Sequence, residues 1–189
     1  MAEELELKAV LYDPPGVRRR LLAAGARLTF QGHLRDERYD RDGELQARGE
    51  VLRVRSYHLQ HGPIDAILGW KGPVRRSPEG YKQREELELP IAAGSASPGG
   101  LLRSLGYAIV HTIDREVEVY QVAGAMVRLE WFPRMDQLIE VEGTPEAIER
   151  AVAATGIPRD RFSADSLAEF VRRYEACHDH PATLQLPAS

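Results

Sequence analysis

Two pairs of glutamates stand out because the members of each pair are two residues apart: Glu4 with Glu6, and Glu140 with Glu142. Successive residues of a β-strand point to opposite faces, so the members of each pair share a face if these segments are strands. Carboxylate oxygens are the hard ligands that Mg²⁺ or Mn²⁺ prefers. Without a cation, two carboxylates so close would repel each other. The spacing therefore predicts two pairs of metal ligands.

Basic residues have the same two-residue spacing, on the same faces of the segments that would be strands. They include Lys8, Arg53, Arg55, Arg84 and Arg128, and the positions between them are mostly apolar. Guanidinium groups bind phosphate oxygens in a bidentate manner, and ammonium groups bind them as point charges. Cations and metal-binding carboxylates in one space are suited to a polyphosphate that carries its metal ion.

These charged faces allow two structural interpretations. An antiparallel sheet with one face in water shows the same alternation, with ion pairs between neighbouring strands. A closed barrel instead turns one face of every strand into its lumen. The charged faces contain almost only Glu, Arg and Lys, without the Ser, Thr, Gln and Asn that are usual on a wet face. This composition favours a barrel whose lumen holds a multiply charged ligand.

The elements that must position these residues are mainly strands, so the predicted class is α+β. Alternation predicts strands over residues 3–10, 26–35, 51–57, 65–71, 81–89, 107–113, 115–122, 125–132 and 137–142. Periodicity and capping residues predict helices over 17–24, 99–104, 145–154 and 167–177. Residues 35–43 are predicted as a loop, 61–63 as a turn, 94–100 as a loop of small residues, Ser163 as the cap of the last helix, and 181–189 as a frayed tail.

Composition limits the classes of protein that fit. The chain has 189 residues, of which 43% are hydrophobic and 29% charged, which is typical of one globular domain. Its net charge of −4 argues against nucleic-acid binding, and it has no apolar run of membrane-spanning length. The acidic N-terminal residues are unlike a signal peptide, and the single cysteine, Cys177, allows no internal disulfide. We therefore expect a cytoplasmic protein that associates with neither membranes nor nucleic acids.

Five short motifs, in order, resemble those of the CYTH family, the triphosphate tunnel metalloenzymes. They are Glu4-Leu5-Glu6-Leu7-Lys8, Leu52-Arg53-Val54-Arg55, Lys71-Gly72-Pro73, Arg84-Glu85-Glu86-Leu87-Glu88, and Glu140-Val141-Glu142 preceded by Glu130. The resemblance implies an eight-stranded antiparallel β-barrel that forms a tunnel, with peripheral helices. It implies one domain over residues 1–180, with the barrel at about 3–143, helices at about 144–177, and a tail at 181–189.

The resemblance also implies the roles of individual residues. Those implied to bind Mg²⁺ or Mn²⁺ are Glu4, Glu6, Glu130, Glu140 and Glu142. Those implied to hold the triphosphate are Lys8, Arg53, Arg55, Lys71, Arg84, Arg115 and Arg128. Glu6, Lys8, Arg55 and Glu140 are the candidate catalytic residues. Two of the chain's three lysines, Lys8 and Lys71, fall on motif positions, in a sequence whose other basic residues are all arginine.

The sequence departs from the family pattern at three positions. Arg38 stands where the family usually has tyrosine, Ile113 where it has lysine, and Glu130 where it has aspartate. The lysine missing at 113 removes one phosphate-binding cation, and Asp114 is expected to disturb the site beside it. These changes leave the general site intact but are expected to alter the choice of substrate.

The resemblance implies a metal-dependent hydrolase of inorganic tripolyphosphate or of an organic triphosphate. The alternative is a class IV adenylate cyclase that converts ATP to cyclic AMP and pyrophosphate. A third possibility is a module that binds polyphosphate or nucleotides without catalysis. In each case the partner is a small molecule that contains a triphosphate, and relatives of the cyclase type imply a possible homodimer. No residue in the sequence decides between these functions.

Overall fold

Nine strands form one antiparallel sheet in the computed structural model, which describes residues 2–58, 65–92 and 97–187. The strands are β1 (Ala2–Val10), β2 (Arg27–Asp40), β3 (Val51–His58), β4 (Asp65–Lys71), β5 (Arg75–Arg76), β6 (Lys82–Ile91), β7 (Ala108–Val122), β8 (Ala125–Trp131) and β9 (Leu138–Glu142). Their order is β1-β9-β8-β7-β2-β3-β4-β6, and β1 also pairs with β6. That pairing closes the sheet into an eight-stranded barrel, which confirms the predicted fold, and the short β5 adds to β6 outside the ring.

In the described part of the chain, five α-helices and a short 3₁₀ helix accompany the barrel. They are α1 (Pro14–Ala23), α2 (Glu44–Ala47), α3 (Pro98–Ser104), α4 (Pro145–Thr155) and α5 (Leu167–Cys177), with the 3₁₀ helix at Arg159–Arg161. Helix α4 is capped by Thr144, whose side chain accepts from the Ala147 amide, and is terminated by Gly156, which is in the left-handed region at φ +71°. These are the start and stop residues that the sequence predicts.

The outer faces of β1, β8 and β9 pack against α1 and α4 and form the main hydrophobic core. Leu7, Val127 and Val141 are fully buried there, together with Leu21 of α1 and Ile148 of α4. Because strand residues alternate between faces, burying these apolar positions under helices turns their charged neighbours into the barrel lumen. The interpretation of the charged faces as a wet surface is therefore wrong.

One end of the lumen is filled by apolar side chains. Leu34, Val117 and Val119 are buried there against the partly buried Tyr57 and Met126. Leu34 precedes the charged lumen positions along β2, whereas Tyr57 follows them along the antiparallel β3, so both lie at the same end of the barrel. The charged part of the lumen is thus the middle of the barrel and its other end.

Two strands are longer than the sequence predicts. The predicted loop over 35–43 is wrong, because β2 continues to Asp40 and pairs with both β3 and β7. The predicted break at Asp114 is also wrong, because β7 runs unbroken from Ala108 to Val122. In both places polar residues that look like a loop in the sequence form the wall of a barrel with a charged interior. Asp40 ends β2 by accepting from the amides of Leu45 and Gln46 in α2.

The C-terminal segment also differs from the prediction. The cap of α5 is Ser166, not Ser163: its hydroxyl accepts from the Glu169 amide, and the Glu169 carboxylate accepts from the Ser166 amide. The tail is not frayed between 183 and 186, because Thr183 pairs with Arg134. The Asp114 amide donates to the Leu184 carbonyl at 2.7 Å. The described tail is therefore attached to the wall of the barrel.

Two predicted connections concern residues that are not described: the turn at 61–63 lies wholly outside the described residues, and the small-residue loop at 94–100 lies partly outside them. Strand β6 continues through Pro90, where the sequence predicts its end, to Ile91. Among the described residues, no helix is both long and apolar enough to cross a membrane.

Candidate functional site

A cavity of about 400 Å³ occupies the charged part of the lumen. Its acidic lining residues are Glu4, Glu6, Asp36, Glu86, Glu88, Glu130, Glu140 and Glu142. Its basic lining residues are Lys8, Arg38, Arg53, Arg55, Lys71, Lys82, Arg84, Arg115 and Arg128. Every residue that the sequence proposes for metal or triphosphate binding lies on this lining, contributed by seven of the eight barrel strands. The closed barrel thus gathers residues from Glu4 to Glu142 around one space.

Three carboxylates form a candidate metal centre at the meeting point of β1, β6 and β9. Oxygens of Glu4, Glu86 and Glu142 lie within 4.8 Å of one another. Burial, together with repulsion from Glu4 and Glu140, raises the pKa of Glu142 to about 7. Hard oxygen donors in this number suit Mg²⁺ or Mn²⁺, and a cation would offset the repulsion that raises this pKa. The residues present therefore fit a divalent metal ion.

The ammonium of Lys71 partly neutralises this acidic cluster. Its Nζ lies 2.6 Å from Glu4 and 2.8 Å from Glu86. Glu142 has no such partner among the ion pairs of the described residues. The negative charge of the cluster is therefore only partly compensated, and Lys71 lies where it could also contact an anion bound beside the cluster.

A second network joins Lys8 to two other proposed metal ligands. Lys8 Nζ lies 2.5 Å from Glu6 and 2.6 Å from Glu140, and Lys82 also contacts Glu6. Although burial alone would raise the pKa of Glu6, the charges of Lys8 and Lys82 lower it to about 2. Arg128 donates to Glu140 at 2.7 Å. Glu6 and Glu140 are thus fully ionised at neutral pH and held by cations.

Asp36 is the centre of a third network. Arg55 donates to both of its oxygens, at 2.8 and 3.0 Å, and Arg115 donates to it at 3.0 Å. Arg115 also donates to Glu130 at 2.8 Å. Burial would raise the pKa of Asp36, but the charges of Arg55, Arg115 and Arg53 hold it well below its usual range. Asp36 therefore fixes the guanidinium groups of the predicted phosphate-binding residues.

The remaining predicted cations have different partners. Arg53 donates to Glu86 and Glu88, at 3.1 and 3.0 Å. Arg84 donates through two nitrogens to the Gly72 carbonyl, at 3.0 and 2.6 Å. This bond ties β6 to the Lys71-Gly72-Pro73 motif at the end of β4. Arg84 has no carboxylate partner among the described residues.

Sequence reasoning missed five charged residues of the cavity, one of which is Glu88. The other four are Lys82, Asp36, Glu86 and Arg38, which also line the cavity but were not proposed as site residues. Lys82 had a usable signal: it is one of three lysines among 25 basic residues, and it shares a strand face with Arg84. Asp36 was concealed by the loop prediction for its segment. Glu86 shares a face with Arg84, but the strand partners that bring it to Glu4 are not visible in the sequence.

The departures from the family pattern lie on neighbouring strands. Arg38 and Ile113 both line the cavity, on β2 and β7, and Ile113 pairs with Asp36. Asp114 points away from the cavity, to His33 at 3.0 Å and to the amide of Leu186 at 3.0 Å. The expectation that Asp114 disturbs the site is therefore wrong.

Comparison with solved structures identifies proteins with the same fold. PH1819 protein from Pyrococcus horikoshii OT3 is 23% identical, with a TM-score of 0.71, covering 90% of this chain and 98% of that chain. A putative adenylate cyclase from Vibrio parahaemolyticus is 16% identical, with a TM-score of 0.67, covering 89% and 97%. The putative adenylyl cyclase HpAC1 from Hippeastrum, described as having a dominant triphosphatase activity, is 18% identical, with a TM-score of 0.60, covering 96% and 98%. No family model and no curated protein matches the sequence.

Proposed function

We propose that this protein is a divalent-metal-dependent triphosphate hydrolase of the CYTH type, acting on inorganic tripolyphosphate or an organic triphosphate. One observation carries the proposal: a three-carboxylate cluster and nine cationic side chains line the same cavity inside a closed barrel. Phosphoryl transfer needs mainly positioning and neutralisation of charge, and both are supplied by such an arrangement.

The contacts of each residue indicate whether it would bind the metal ion or the phosphates. Glu4, Glu86 and Glu142 would hold a divalent ion, which when bound would neutralise phosphate charge and lower the pKa of a water molecule. Among the cations, Arg55 and Arg115 are held in place by Asp36, and so would meet phosphate oxygens without first reorganising.

Glu6 and Glu140 would orient the attacking water. Both are acceptors fixed by Lys8. Because the pKa of Glu6 is about 2, this carboxylate accepts a hydrogen bond well but is a weak proton acceptor. In this proposal it therefore positions the water and does not serve as the general base.

A protein with the same fold supports hydrolysis as the reaction, and the product assay described below tests cyclisation as the alternative. HpAC1, whose fold matches 96% of this chain, is described as a putative adenylyl cyclase with a dominant triphosphatase activity. The same phosphate-binding residues would serve both reactions, which differ in the nucleophile. Hydrolysis uses water and needs no nucleoside site, which is why we propose it first.

Product analysis tests this function. The purified protein would be incubated with Mg²⁺ or Mn²⁺ and, in parallel, tripolyphosphate, thiamine triphosphate or ATP, and orthophosphate, pyrophosphate and cyclic AMP would be measured. We expect metal-dependent release of orthophosphate. Cyclic AMP with pyrophosphate as the main products of ATP would instead establish the cyclase, and tight binding without turnover would establish a binding module.

Adjacent residues of β6 provide a matched pair of variants for this assay. Glu86 belongs to the acidic cluster, whereas Glu85 is on the outer face of the barrel. Glu86→Gln should reduce turnover at fixed metal concentration by at least about 10²-fold, the scale for losing a preorganised charged group in an active site. Glu85→Gln should retain wild-type turnover. Equal activity of the two variants would remove the acidic cluster from the mechanism.

A further inference from the structure

Arg38 differs from most of the other cations of the cavity in its partners. Its side chain is partly buried, and its Nε is fully buried without a hydrogen-bond partner. Among the described residues, no carboxylate lies within ion-pair distance of its guanidinium group. The nearby Asp36 accepts hydrogen bonds from Arg55 and Arg115 instead. A buried donor without a partner carries a free-energy cost, so a ligand that satisfies it gains affinity.

The surroundings of Arg38 are strongly positive. Burial and the charges of Arg53, Arg115 and Arg84, only partly opposed by Asp36, lower its pKa to about 10. The group remains a cation at neutral pH in spite of that cost. Arg84, its neighbour, also lacks a carboxylate partner and donates to the Gly72 carbonyl. Among the described residues, neither Arg38 nor Arg84 has a carboxylate within ion-pair distance, so an anion between them would be the direct partner of both cations.

The strand order gives this positive region a position in the lumen. Along β2, Leu34 belongs to the apolar end, Asp36 follows, and Arg38 comes two residues later. Arg53 pairs with Arg38 on β3, and it lies on the side of Arg55 away from Tyr57. Arg38 and Arg53 therefore lie beyond the Asp36 network, on its far side from the apolar end.

The positive charge around Arg38 favours a terminal phosphate of a triphosphate over an internal one. An internal phosphate carries one negative charge, whereas a free terminal phosphate, like any phosphomonoester, has a second pKa near 6 and carries almost two at neutral pH. Two guanidinium groups without an ion-pair partner match two negative charges better than one, and their planar donors bind two oxygens of one phosphate.

We propose that Arg38, with Arg53 and Arg84, forms a subsite for a free, doubly ionised terminal phosphate, so that Arg38 determines specificity for triphosphates with an unesterified end. This inference rests on the proposed function. It predicts that esterifying the terminal phosphates weakens binding even when the length of the phosphate chain is unchanged.

The test is a double-mutant cycle on binding, with one change in the protein and one in the ligand. Calorimetry would measure the affinities for tripolyphosphate and for its P1,P3-dimethyl ester, in which each terminal phosphate carries one charge. EDTA would be present to remove the metal, so that neither probe is hydrolysed. For the wild type, the diester should bind about 10- to 100-fold more weakly, the range for losing a hydrogen-bonded charge. For Arg38→Met, that ratio should fall to within about threefold of unity, and Arg38→Lys should lie between the two.

Arg35→Met is the matched control. Arg35 lies on the same strand but on the outer face, near Asp114 and Glu37, so its replacement should leave the wild-type ratio unchanged. Thermal melts would verify folding, and Arg38→Met should melt no lower than the wild type without ligand, since it removes an uncompensated charge.

Each outcome separates the subsite from the proposed function. Unchanged affinities for both probes in Arg38→Met would show that the terminal phosphate binds elsewhere, and an equal fold loss of affinity for both probes, which leaves their ratio unchanged, would show that Arg38 senses total charge only. Either result overturns the subsite and leaves the hydrolase proposal standing. If the wild type binds neither probe, the triphosphate site itself is wrong, and the subsite with it.

Discussion

Glu6 of β1 and Glu142 of β9 are paired across the two strands, but their carboxyl groups have opposite electrostatic surroundings. Lys8 and Lys82 contact Glu6 and, against the effect of burial, lower its pKa to about 2. Burial and the negative charges of Glu4 and Glu140 raise the pKa of Glu142 to about 7. One position therefore stabilises the metal-free fold by its charge, whereas the other destabilises it and is suited to a cation.

The first prediction concerns the stability of glutamine variants at these two positions. Without metal at pH 8, Glu142→Gln should raise the free energy of unfolding by up to about 3 kcal/mol, because a carboxyl group shifted from 4.5 to about 7 is strained when ionised. Glu6→Gln should lower it by about 3 kcal/mol, because two lysines lose a buried partner. Urea titrations of both variants and the wild type measure the differences. If both substitutions lowered the free energy of unfolding, the opposite electrostatic roles of Glu6 and Glu142 would be contradicted.

The pH dependence of these differences follows from the direction of each shift. The free-energy cost of ionising Glu142 in the folded protein develops between pH 4.5 and about 7. The stability gained by Glu142→Gln should therefore be absent below about pH 4.5 and complete above about pH 7. Glu6 contributes its stability above about pH 4.5 and loses it as the pH falls towards about 2. Repeating the titrations from pH 4 to 8 would show the gap between the variants widening with pH.

Metal binding should depend on pH for the same reason. Glu142 must be ionised to act as a ligand, so the affinity for Mg²⁺ should fall by up to tenfold for each pH unit below about 7. Calorimetry in buffers of different ionisation enthalpy would detect the proton released on binding. Glu85→Gln, on the outer face, should keep this dependence, and Glu142→Gln should lose it. A Kd independent of pH between 5.5 and 7 would exclude Glu142 as a ligand.

The fold and most of the site could be predicted because alternation is a local property. Glu4, Glu6 and Lys8 face the lumen for the same reason that Leu5 and Leu7 do not, and a strand shows this in its own residues. The motifs then supplied the closed eight-stranded antiparallel barrel through the family they resemble. The closed barrel and the shared cavity follow from those two sources.

What could not be predicted depends on contacts between strands. The two-residue spacing suggests that Glu4 and Glu6 repel each other, but register places Lys71 beside Glu4 and Lys82 beside Glu6. Polar residues 35–40 were interpreted as a loop, because nothing in that segment shows that Asp36 is surrounded by arginines from β3 and β7. A buried ion network has no signature within one segment, since its partners come from distant parts of the chain.

Lys82 provides a prediction at a residue that the motifs do not include. Its ammonium contacts Glu6 across the pairing of β6 with β1 that closes the barrel. Lys82→Met should therefore reduce kcat/KM for the substrate by about 10²-fold, as expected for the loss of a preorganised charge in an active site. The control is Arg76→Met, which removes the cation paired with Lys82 in register on β5 but outside the cavity. Steady-state kinetics would compare the two variants. Similar rates for both would assign Lys82 a purely structural role.

The last prediction concerns the C-terminal segment. Asp114 is fully buried, its amide donates to the Leu184 carbonyl, and its carboxylate accepts from the Leu186 amide at 3.0 Å. Deleting residues 183–189 would remove the partners of the Asp114 amide and of the carboxylate oxygen that accepts from Leu186, and should cost about 2–4 kcal/mol of stability, the sum of two buried hydrogen bonds. Deleting only residues 188 and 189 preserves both bonds and should leave the Tm unchanged. Because Ile113 and Arg115 flank Asp114 and face the cavity, the longer deletion should also weaken tripolyphosphate binding, measurable by calorimetry well below the Tm. If the two deletions melt alike, the segment is not part of the barrel wall's support.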